Sequence, residues 1–287
     1  MTSQAFLKLF VPPLLVQGYR FLRGRKGNSV VYGLSGDYHS WDEAVRASTG
    51  YDSEIILEKT KEALLKVKNG QAVYERDSVV FDEIQYAWPL CASLLWIAAQ
   101  SGGRLNVLDF GGSLGSTYVQ NRVFLRCLPE VRWNIVEQPH HVKAGKEWFE
   151  DDHLKFYLGV EDCLVVTQPN VVILSSVLQY LEHPYDILCG LLGLPCNHLI
   201  IDRTPFWDGP TDRLCVQHVP PSIYPASYPS WILSLSRFHS YLHESWEVVA
   251  EFDSLDKLEG PVDFAYRGMI ITRREPLIST AREWRNV

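Results

Sequence analysis

One stretch of the sequence combines an acid, a cluster of glycines and the start of a helix. Asp109 ends an apolar run, and the segment 116–125 has the composition of a helix. Between them, the candidate turn contains the small residues Gly111, Gly112, Ser113 and Gly115. Glycine adopts positive φ without strain and lets a ligand approach the backbone, while the N–H groups at a helix start face that ligand. Residues 107–115 are therefore predicted to cradle a nucleotide-like ligand.

The spacing of the glycines excludes two common phosphate-binding turns. A P-loop requires a second glycine, followed by lysine, at the position that Ser116 occupies relative to Gly111. The dinucleotide fingerprint requires the pattern G-x-G, and Ser113 and Leu114 stand where its second glycine belongs. Neither frame fits, so the turn is predicted to hold another kind of ligand.

A second acid stands at the end of the next predicted strand. Glu137 ends the run 132–137 and precedes a helix predicted at about 140–149. A carboxylate at this place can accept hydrogen bonds from both hydroxyls of a ribose. The alternative is an acid at a helix N-terminus, where the helix dipole favours negative charge. We favour the ribose role because the glycine turn precedes it.

Two residues are candidates for a general base. Asp202 ends the predicted strand 199–202, at the sheet edge where ligands of such folds bind, although it could equally cap the next turn. His218 could titrate near neutrality, although a surface histidine is the favoured interpretation. Arg203 could hold an acidic sugar or a phosphate through its planar fork, or form an ordinary ion pair.

The segment 203–230 is rich in proline and aromatic residues. A long insertion of this composition is typical of a functional loop, so we predict an ordered lid or substrate wall. Tyr224 and Tyr228 within it, and Tyr180 before it, are candidates for stacking on a sugar ring. Packing in the core is the alternative for all three.

The glycine turn resembles motif I of the class I S-adenosylmethionine-dependent methyltransferases, in which an acid precedes three spaced glycines. Asp109, Gly111 and Gly115 match this motif, and Ser113 occupies the place of the middle glycine. The segment 173–184, with its Ser-Ser-Val-Leu core, is similar to the methyltransferase segment that follows the fourth strand.

The resemblance implies S-adenosyl-L-methionine as the cofactor. It implies that Asp109 orders the turn and the nearby cofactor ammonium, and that the backbone of residues 111–115 lines the amino-acid part. In the same way it assigns the ribose to Glu137, and it places Ser175 and Ser176 beside the sulfonium.

Four further segments, 75–82, 107–115, 201–205 and 224–231, together resemble a family of methyltransferases associated with bacterial surface-polysaccharide biosynthesis. This resemblance implies methyl transfer to a hydroxyl of a saccharide or of an activated or lipid-linked sugar. The alternative is a non-catalytic or regulatory protein that retains the cofactor-binding fold. A nucleotide-sugar or NAD-dependent enzyme is disfavoured by the failed dinucleotide frame.

Alternating strand and helix patterns surround these residues from residue 105 onward. Strands are predicted at 105–110, 132–137, 155–158, 171–175 and 199–202, with helices at about 115–127, 140–149 and 184–192. Continuous apolar strands are typical of a parallel sheet covered on both faces. After a helix at about 230–243, strands at 246–252 and 268–273 are expected to pair antiparallel at one sheet edge. The predicted fold is α/β, a Rossmann-like class I methyltransferase fold with a mostly parallel sheet, an antiparallel edge strand and an N-terminal helical extension.

The preceding part, residues 1–100, is predicted to form an arm and a helical extension, and residues 101–287 the cofactor-binding domain. A capping box at Ser40 and Glu43 predicts a short helix to about Ala47. Further helices are expected at 53–68 and at 84–100, the second kinked near Pro89.

The bulk composition is ordinary for a globular enzyme, with 46% apolar and 21% charged residues among 287. A net charge of −7 argues against a nucleic-acid partner, so a small-molecule or saccharide acceptor is expected. The six cysteines are scattered without a C-x-x-C pair, which predicts reduced thiols in a cytoplasmic protein and no metal site. Residues 1–27 mix basic and apolar side chains, and either pack on the main domain or touch the inner membrane face peripherally.

Overall fold

The structure is a computed structural model that describes residues 32–50, 53–221, 223–242 and 244–274. Its contacts group the chain into one unit at Met1–Tyr32 and a second at Gly33–Val287. The architecture below is that of the second unit. The predicted N-terminal arm and its membrane contact lie outside the described residues, and the predicted boundary near residue 100 stays a prediction.

The strands of the described chain follow the sequence closely from residue 104 onward. In chain order they are β1 (Gly33–Tyr38), β2 (Tyr74–Arg76), β3 (Val79–Phe81), β4 (Arg104–Phe110), β5 (Glu130–Val136), β6 (Leu154–Tyr157), β7 (Val171–Ser175), β8 (His198–Trp207), β9 (Arg213–His218), β10 (Ser227–Ser234), β11 (Trp246–Asp253) and β12 (Ala265–Arg273). β1, the β2–β3 hairpin, β9 and β10 were not predicted.

The helices alternate with these strands. They are α1 (Trp41–Arg46), α2 (Ser53–Lys68), α3 (Trp88–Gln100), α4 (Ser116–Leu125), α5 (Pro139–Trp148), α6 (Val160–Val166), α7 (Pro184–Leu192) and α8 (Leu235–Ser240), with a 3₁₀ turn at Leu178–Tyr180. Among the described helices, none is long and apolar enough to cross a membrane.

The parallel strands form a doubly covered sheet in the order β6-β5-β4-β7-β8. β12 runs antiparallel to β8, and β11 pairs antiparallel with β12 at the edge. The predicted Rossmann-like fold, with its mostly parallel sheet and antiparallel edge, is confirmed by this strand order. β5 and β7 lie on opposite sides of β4, so the order of the strands reverses at β4. Open α/β sheets bind ligands in the crevice beside the carboxyl ends of the strands at such a point.

Successive side chains of a strand point to opposite faces of the sheet, so a continuous apolar run contributes to the core on each face. Leu108 and Val172 face the core that includes α7, while Val107 and Ile173 face the core that includes α3. Each of these four side chains is at most 1% exposed. Full burial of such a side chain stabilises the fold by about 1.5–3 kcal/mol, which fixes the strands that carry the site.

β8 is longer than predicted and has different partners along its length. Its first half pairs with β7 as far as Asp202, opposite Ser175. Beyond that point Phe206 pairs with Ala265 of β12 on one edge and with Leu233 of β10 on the other. β10 therefore lies just beyond the carboxyl end of β7. Together with β9 and β1 it forms an antiparallel extension on that side of the sheet.

The proline-rich segment is thus largely sheet. Pro205 lies between Asp202, the last partner of β7, and Phe206, the first partner of β10, so that edge needs no N–H donor there. Pro229 precedes the residues of β10 that pair with β8. The prediction of a helix over about 230–243 is wrong in its first part, since β10 continues to Ser234 before α8 begins.

The helix predicted over 84–100 begins only at Trp88. Pro89 occupies its first turn, where the missing N–H has no helical partner to lose, so the expected kink does not form. The capping box of α1 forms in part, because the Glu43 carboxylate bonds the N–H of His39 and not that of the N-cap residue Ser40. The Ser40 hydroxyl accepts from the Glu43 N–H at 3.3 Å, and the Glu43 carboxylate accepts from the His39 N–H at 2.9 Å.

Candidate functional site

The glycine turn after β4 leaves no room for added side chains. Gly111 has φ +71° and Gly115, the N-cap of α4, has φ +93°. A Cβ on Gly111 would lie 2.5 Å from Val177 Cγ2, and one on Gly112 would lie 2.5 Å from Asp109 Cγ. The glycines are therefore required by close approaches as well as by backbone conformation.

The buried side chain of Asp109, near the end of β4, packs against this turn. It is 1% exposed, and its Oδ2 accepts a hydrogen bond of 2.9 Å from Trp133 Nε1 on β5. Burial raises the pKa of Asp109 to about 7, although the hydrogen bond from Trp133 opposes the shift. The carboxyl group lies against Gly112, so its position controls the shape of the turn.

Glu137, directly after β5, joins the turn to the next strand. It accepts from the Gln138 N–H at 2.6 Å and from the Ser113 N–H, and burial raises its pKa despite these bonds. Ser113 has φ +53°, a conformation that glycine would adopt with less strain. Serine therefore occupies the middle-glycine position in a backbone conformation that glycine adopts most easily. His141 Nδ1 lies 4.0 Å from Glu137 Oε2.

The carboxyl end of β7 and the middle of β8, at Asp202 and Arg203, form the opposite wall of the crevice. Ser175 donates from its hydroxyl to Asp202 Oδ2 at 3.4 Å, and the Ser176 N–H donates to the Asp202 carbonyl at 3.0 Å. Asp202 is 2% exposed and also accepts from the Ser254 hydroxyl at 2.9 Å. Burial raises the pKa of Asp202, with the charge of Arg203 opposing the shift. The fold thus brings the predicted base, Asp202, together with Ser175 and Ser176, which were predicted to contact the cofactor.

Arg203 forms ion pairs with two acidic residues, Asp256 and Asp77. Its Nε donates to Asp256 at 2.7 Å, its Nη2 donates to the other oxygen of Asp256 at 3.0 Å, and Nη2 also donates to Asp77. Of the two roles considered for this residue, the structure shows the ion pair. The planar fork holds the loop after β11 and the β2–β3 hairpin in place.

The hairpin formed by β2 and β3 is the main feature that sequence reasoning missed. Glu75 accepts from the Ser116 hydroxyl at 2.5 Å and from the Ser78 N–H at 2.9 Å. The hairpin therefore spans the crevice from the start of α4, through Glu75, to Arg203, through Asp77. The signal available was the pair Asp77-Ser78, two residue types that favour turns, between two short segments, and both residues adopt positive φ in the structure.

Gln179 was also missed. It is fully buried, and its Nε2 donates to Ser176 Oγ at 3.2 Å and to the Arg203 carbonyl at 3.1 Å. It thereby connects the ends of β7 and β8. Its position in a segment already similar to the methyltransferase pattern was the only sequence signal.

The candidate tyrosines lie together where β7 meets the extension. The Tyr180 hydroxyl donates to Gln217 Oε1 at 2.9 Å, and its ring lies 5.4 Å from that of Tyr228 in an edge-on arrangement. Burial raises the pKa of Tyr180 to about 12, so the hydroxyl remains a neutral donor. Tyr224 and Tyr228 are each 9% exposed, so most of their surface packs in the fold.

His218 is not brought to Asp202. Its Nε2 lies 2.9 Å from the Ser35 hydroxyl on β1. Since successive side chains on β9 point to opposite faces, His218 faces away from the side on which Gln217 contacts Tyr180. Among the described residues, no group of His, Cys, Asp or Glu has the arrangement of a metal site.

Unusual backbone conformations concentrate at this crevice. Within the described ranges, the non-glycine residues with positive φ are Asp77, Ser78, Ser113, Ser176 and Arg203. All five lie in the glycine turn, directly after β7, in the middle of β8, or in the hairpin that links α4 to β8. Such strain persists only where the surroundings impose it, and it is characteristic of functional sites.

No family model matches the chain, and no curated protein sequence matches it. Solved structures with a similar course include the N-terminal domain of EvdMO1 with S-adenosylhomocysteine and D-fucose, at 14% identity and a TM-score of 0.45, over 78% of this chain and 98% of that one. Magnesium protoporphyrin IX methyltransferase (ChlM) from Synechocystis PCC 6803, with bound S-adenosylmethionine, has 12% identity and a TM-score of 0.42, over 79% and 99%.

CalS10, an amino pentose methyltransferase from Micromonospora echinaspora, has 10% identity and a TM-score of 0.40, over 66% of this chain and 92% of that one. Similarity at this level carries no argument about function. The function must therefore be argued from the crevice itself.

Proposed function

We propose that the chain is an S-adenosylmethionine-dependent methyltransferase that acts on a hydroxyl of a saccharide or of an activated or lipid-linked sugar. The observation that carries the proposal is the pairing of the glycine turn with Glu137 at the crevice beside β4. There the turn with positive φ leads into the N-terminus of α4, and the Glu137 carboxylate accepts from the Ser113 N–H within that turn. This is the place where ligands bind in open α/β sheets.

The chemistry of the residues present fits this cofactor. Gly111 and Gly112 allow its amino-acid part to lie against the backbone, and Glu137 can accept from its ribose hydroxyls. Asp109 and Glu137 place two carboxyl groups beside the turn, which favours a ligand with an ammonium and disfavours a pyrophosphate. A dinucleotide or nucleoside triphosphate fits these residues less well.

S-adenosylmethionine would supply a methyl group already activated by a sulfonium. The chain must then orient the acceptor hydroxyl, exclude water and accept a proton. Ser175 and Ser176 border the crevice, and Asp202 is the base in this proposal because burial moves its pKa toward neutrality. Since Asp202 is 2% exposed, the Ser175 hydroxyl would pass the proton to it. Tyr180, beside the β9–β10 extension, would contact the acceptor.

Calorimetric titration of the chain with S-adenosylmethionine, S-adenosylhomocysteine and NAD tests the cofactor. Both adenosyl ligands should bind, NAD should not, and Glu137→Gln should weaken binding by about tenfold or more because a ribose partner is altered. Glu130→Gln, at an exposed ion pair with Arg132, is the matched control. Binding of NAD alone, or no binding of the adenosyl ligands, would contradict the proposal.

Transfer is tested with methyl-labelled S-adenosylmethionine and a panel of free, nucleotide-linked and lipid-linked sugars. Label should enter a sugar hydroxyl, and Asp202→Asn should lower the rate while cofactor binding persists. Binding without transfer to any acceptor would instead favour a non-catalytic or regulatory protein with this fold.

A cytoplasmic location is proposed from the six scattered cysteines. Peripheral contact with the inner membrane face through residues 1–27 is proposed from the basic and apolar composition of that segment. Sedimentation with anionic vesicles should fall when residues 1–27 are deleted. Equal sedimentation before and after deletion would contradict the membrane contact.

A further inference from the structure

The β2–β3 hairpin carries an arginine that none of the interactions described above uses. Arg76 pairs with Val79 across the hairpin and directly precedes Asp77, which binds Arg203. Since side chains alternate on a strand, Arg76 points to the opposite face of the hairpin from Glu75, which binds Ser116. Arg76 is thus placed on the element that spans the crevice, between its two anchor points.

Nη1 of Arg76 is buried and has no hydrogen-bond partner among the described residues. The Arg76 guanidinium lies over the face of the Phe81 ring, 5.5 Å from its centroid. The ring attracts the cation but accepts no conventional hydrogen bond from it. A guanidinium stays charged at every accessible pH, so it cannot relieve its burial by losing a proton. A buried donor of this kind favours an acceptor brought by a ligand.

The acids close to Arg76 already have partners. The carboxylates of Asp77 and Asp256 accept from Arg203, and that of Glu75 accepts from Ser116 and Ser78. Asp256 is near enough for the charge of Arg76 to help lower its pKa, after the larger effects of burial, which opposes the shift, and of Arg203. The surrounding charges therefore hold Arg76 in place without supplying an acceptor to Nη1.

We propose that Arg76 binds an oxyanion of a ligand in the crevice, either a carboxylate or a phosphate. Both present oxygens in the plane that a guanidinium fork recognises. The proposal rests on the proposed function for its ligands: the carboxylate would be that of the aminoacyl part of the cofactor, and the phosphate that of an activated sugar. Arg76 is then the residue through which ligand binding holds the hairpin across the crevice.

The test compares ligands that differ in the oxyanion, with Arg76→Met as the variant. Calorimetry uses S-adenosylhomocysteine, which has the carboxylate, and 5′-methylthioadenosine, which lacks the aminoacyl group. Uridine diphosphate, titrated in the presence of S-adenosylhomocysteine, serves as the phosphate probe. Arg132→Met, at an exposed ion pair, is the matched control and should leave every affinity unchanged.

A carboxylate partner predicts that Arg76→Met weakens S-adenosylhomocysteine by about tenfold or more and leaves methylthioadenosine unchanged. A phosphate partner predicts unchanged S-adenosylhomocysteine and lost binding of uridine diphosphate. Arg76→Lys, which keeps the charge but not the fork, should restore part of the affinity and serves if the Met variant does not fold.

Unchanged affinity for both S-adenosylhomocysteine and uridine diphosphate in the Met or Lys variant would overturn the proposal. Failure of the proposed function looks different. In that case the parent chain binds neither S-adenosylhomocysteine nor methylthioadenosine, and the phosphate probe still tests Arg76 by itself.

Discussion

At the scale of single residues, the crevice is marked by carboxyl groups that the fold withholds from water. Burial raises the pKa of Glu75, Asp109, Glu137 and Asp202, and each keeps at least one hydrogen-bond donor as partial compensation. These partners come from neighbouring elements, so each acid also connects two parts of the chain. A ligand that brings positive charge would stabilise their ionised forms.

Asp109 should make the fold less stable as the pH rises. Its pKa is raised from 3.8 to about 7, so the folded state holds its proton over a range in which the unfolded state has lost it. The stabilisation is full below about pH 4 and is lost as the pH rises through 7, by up to about 4 kcal/mol. Urea unfolding from pH 4.5 to 8 measures this, with Asp109→Asn as the comparison.

In Asp109→Asn the fall in unfolding free energy over this pH range should be smaller, because the other buried acids alone then titrate. Equal pH profiles for parent and variant would show that Asp109 does not carry the effect.

Gly112→Ala should destabilise the chain by about 1–3 kcal/mol, because its Cβ would lie 2.5 Å from the Asp109 carboxyl carbon. Gly190→Ala is the matched control: Gly190 lies within α7, and an added Cβ meets nothing within 4 Å. The control should be stabilising by about 0.5–1 kcal/mol, since alanine favours a helix. Urea unfolding of both variants compares the two sites, and equal effects would contradict the close packing of the turn.

At the scale of elements, the site is assembled by segments that are distant in sequence. The loop after β11 supplies Ser254 to Asp202 and Asp256 to Arg203, so one short segment fixes both of these residues in the middle of β8. The β2–β3 hairpin then closes on Arg203 through Asp77. The crevice therefore depends on a clamp between elements as well as on the glycine turn.

Asp256→Asn should destabilise the chain by about 1–3 kcal/mol and should speed hydrogen exchange in the hairpin, because Arg203 loses its two-pronged partner. Asp77→Asn should have a smaller effect, since 54% of the Asp77 side chain is exposed against 19% for Asp256. Urea unfolding and amide exchange of residues 74–81 measure both changes.

Glu130→Gln, at an exposed pair with Arg132, should change stability by less than about 0.5 kcal/mol. If Asp256→Asn behaves like this control, the clamp does not hold the site.

At the scale of the whole molecule, the strand β8 pairs both with the parallel core of the sheet and with its antiparallel extension. β8 pairs with β7, with β12 and, beyond Asp202, with β10. The parallel core and the antiparallel β1-β9-β10 extension are thereby parts of one sheet. Side chains that are distant in sequence are therefore buried by the same sheet. Their exposure to solvent can be measured by the reactivity of the cysteines, which are spread over the chain.

The six cysteines test this burial pattern. Cys127 and Cys189 are exposed, and the other four, Cys91, Cys163, Cys196 and Cys215, are buried. Burial raises the pKa of Cys163, Cys196 and Cys215 to about 11, so few thiolates form at neutral pH. A thiol reagent should modify two groups rapidly in the native chain and all six after unfolding.

The double variant Cys127→Ser, Cys189→Ser should lose the rapid phase and keep the slow one. Rapid modification of that variant would mean that the buried thiols are accessible in solution.

The sequence by itself determined the local features: the glycine turn, the acids at the strand ends, and the parallel strands with their helices. These follow from short-range rules, because periodicity specifies an element, and the carboxyl ends of parallel strands must meet at one edge. Glu137 and Asp202 were predicted for this reason, while Asp109 and Ser175 were predicted from the resemblance to methyltransferase motifs. Ser113, the weakest match to the motif, adopts a positive φ, which glycine reaches with less strain.

Only the tertiary structure decided which polar groups meet across elements. The partners of Arg203, the span of the hairpin from Ser116 to Arg203, and the direction of His218 depend on strand register and on which sheet edge remains open. The same holds for Pro205 and Pro229, which favour a loop locally but lie in β8 and β10 at positions where only one edge of the strand is paired. Such pairings are non-local, since their geometry is set by the packing of the whole sheet, which no short window of sequence specifies.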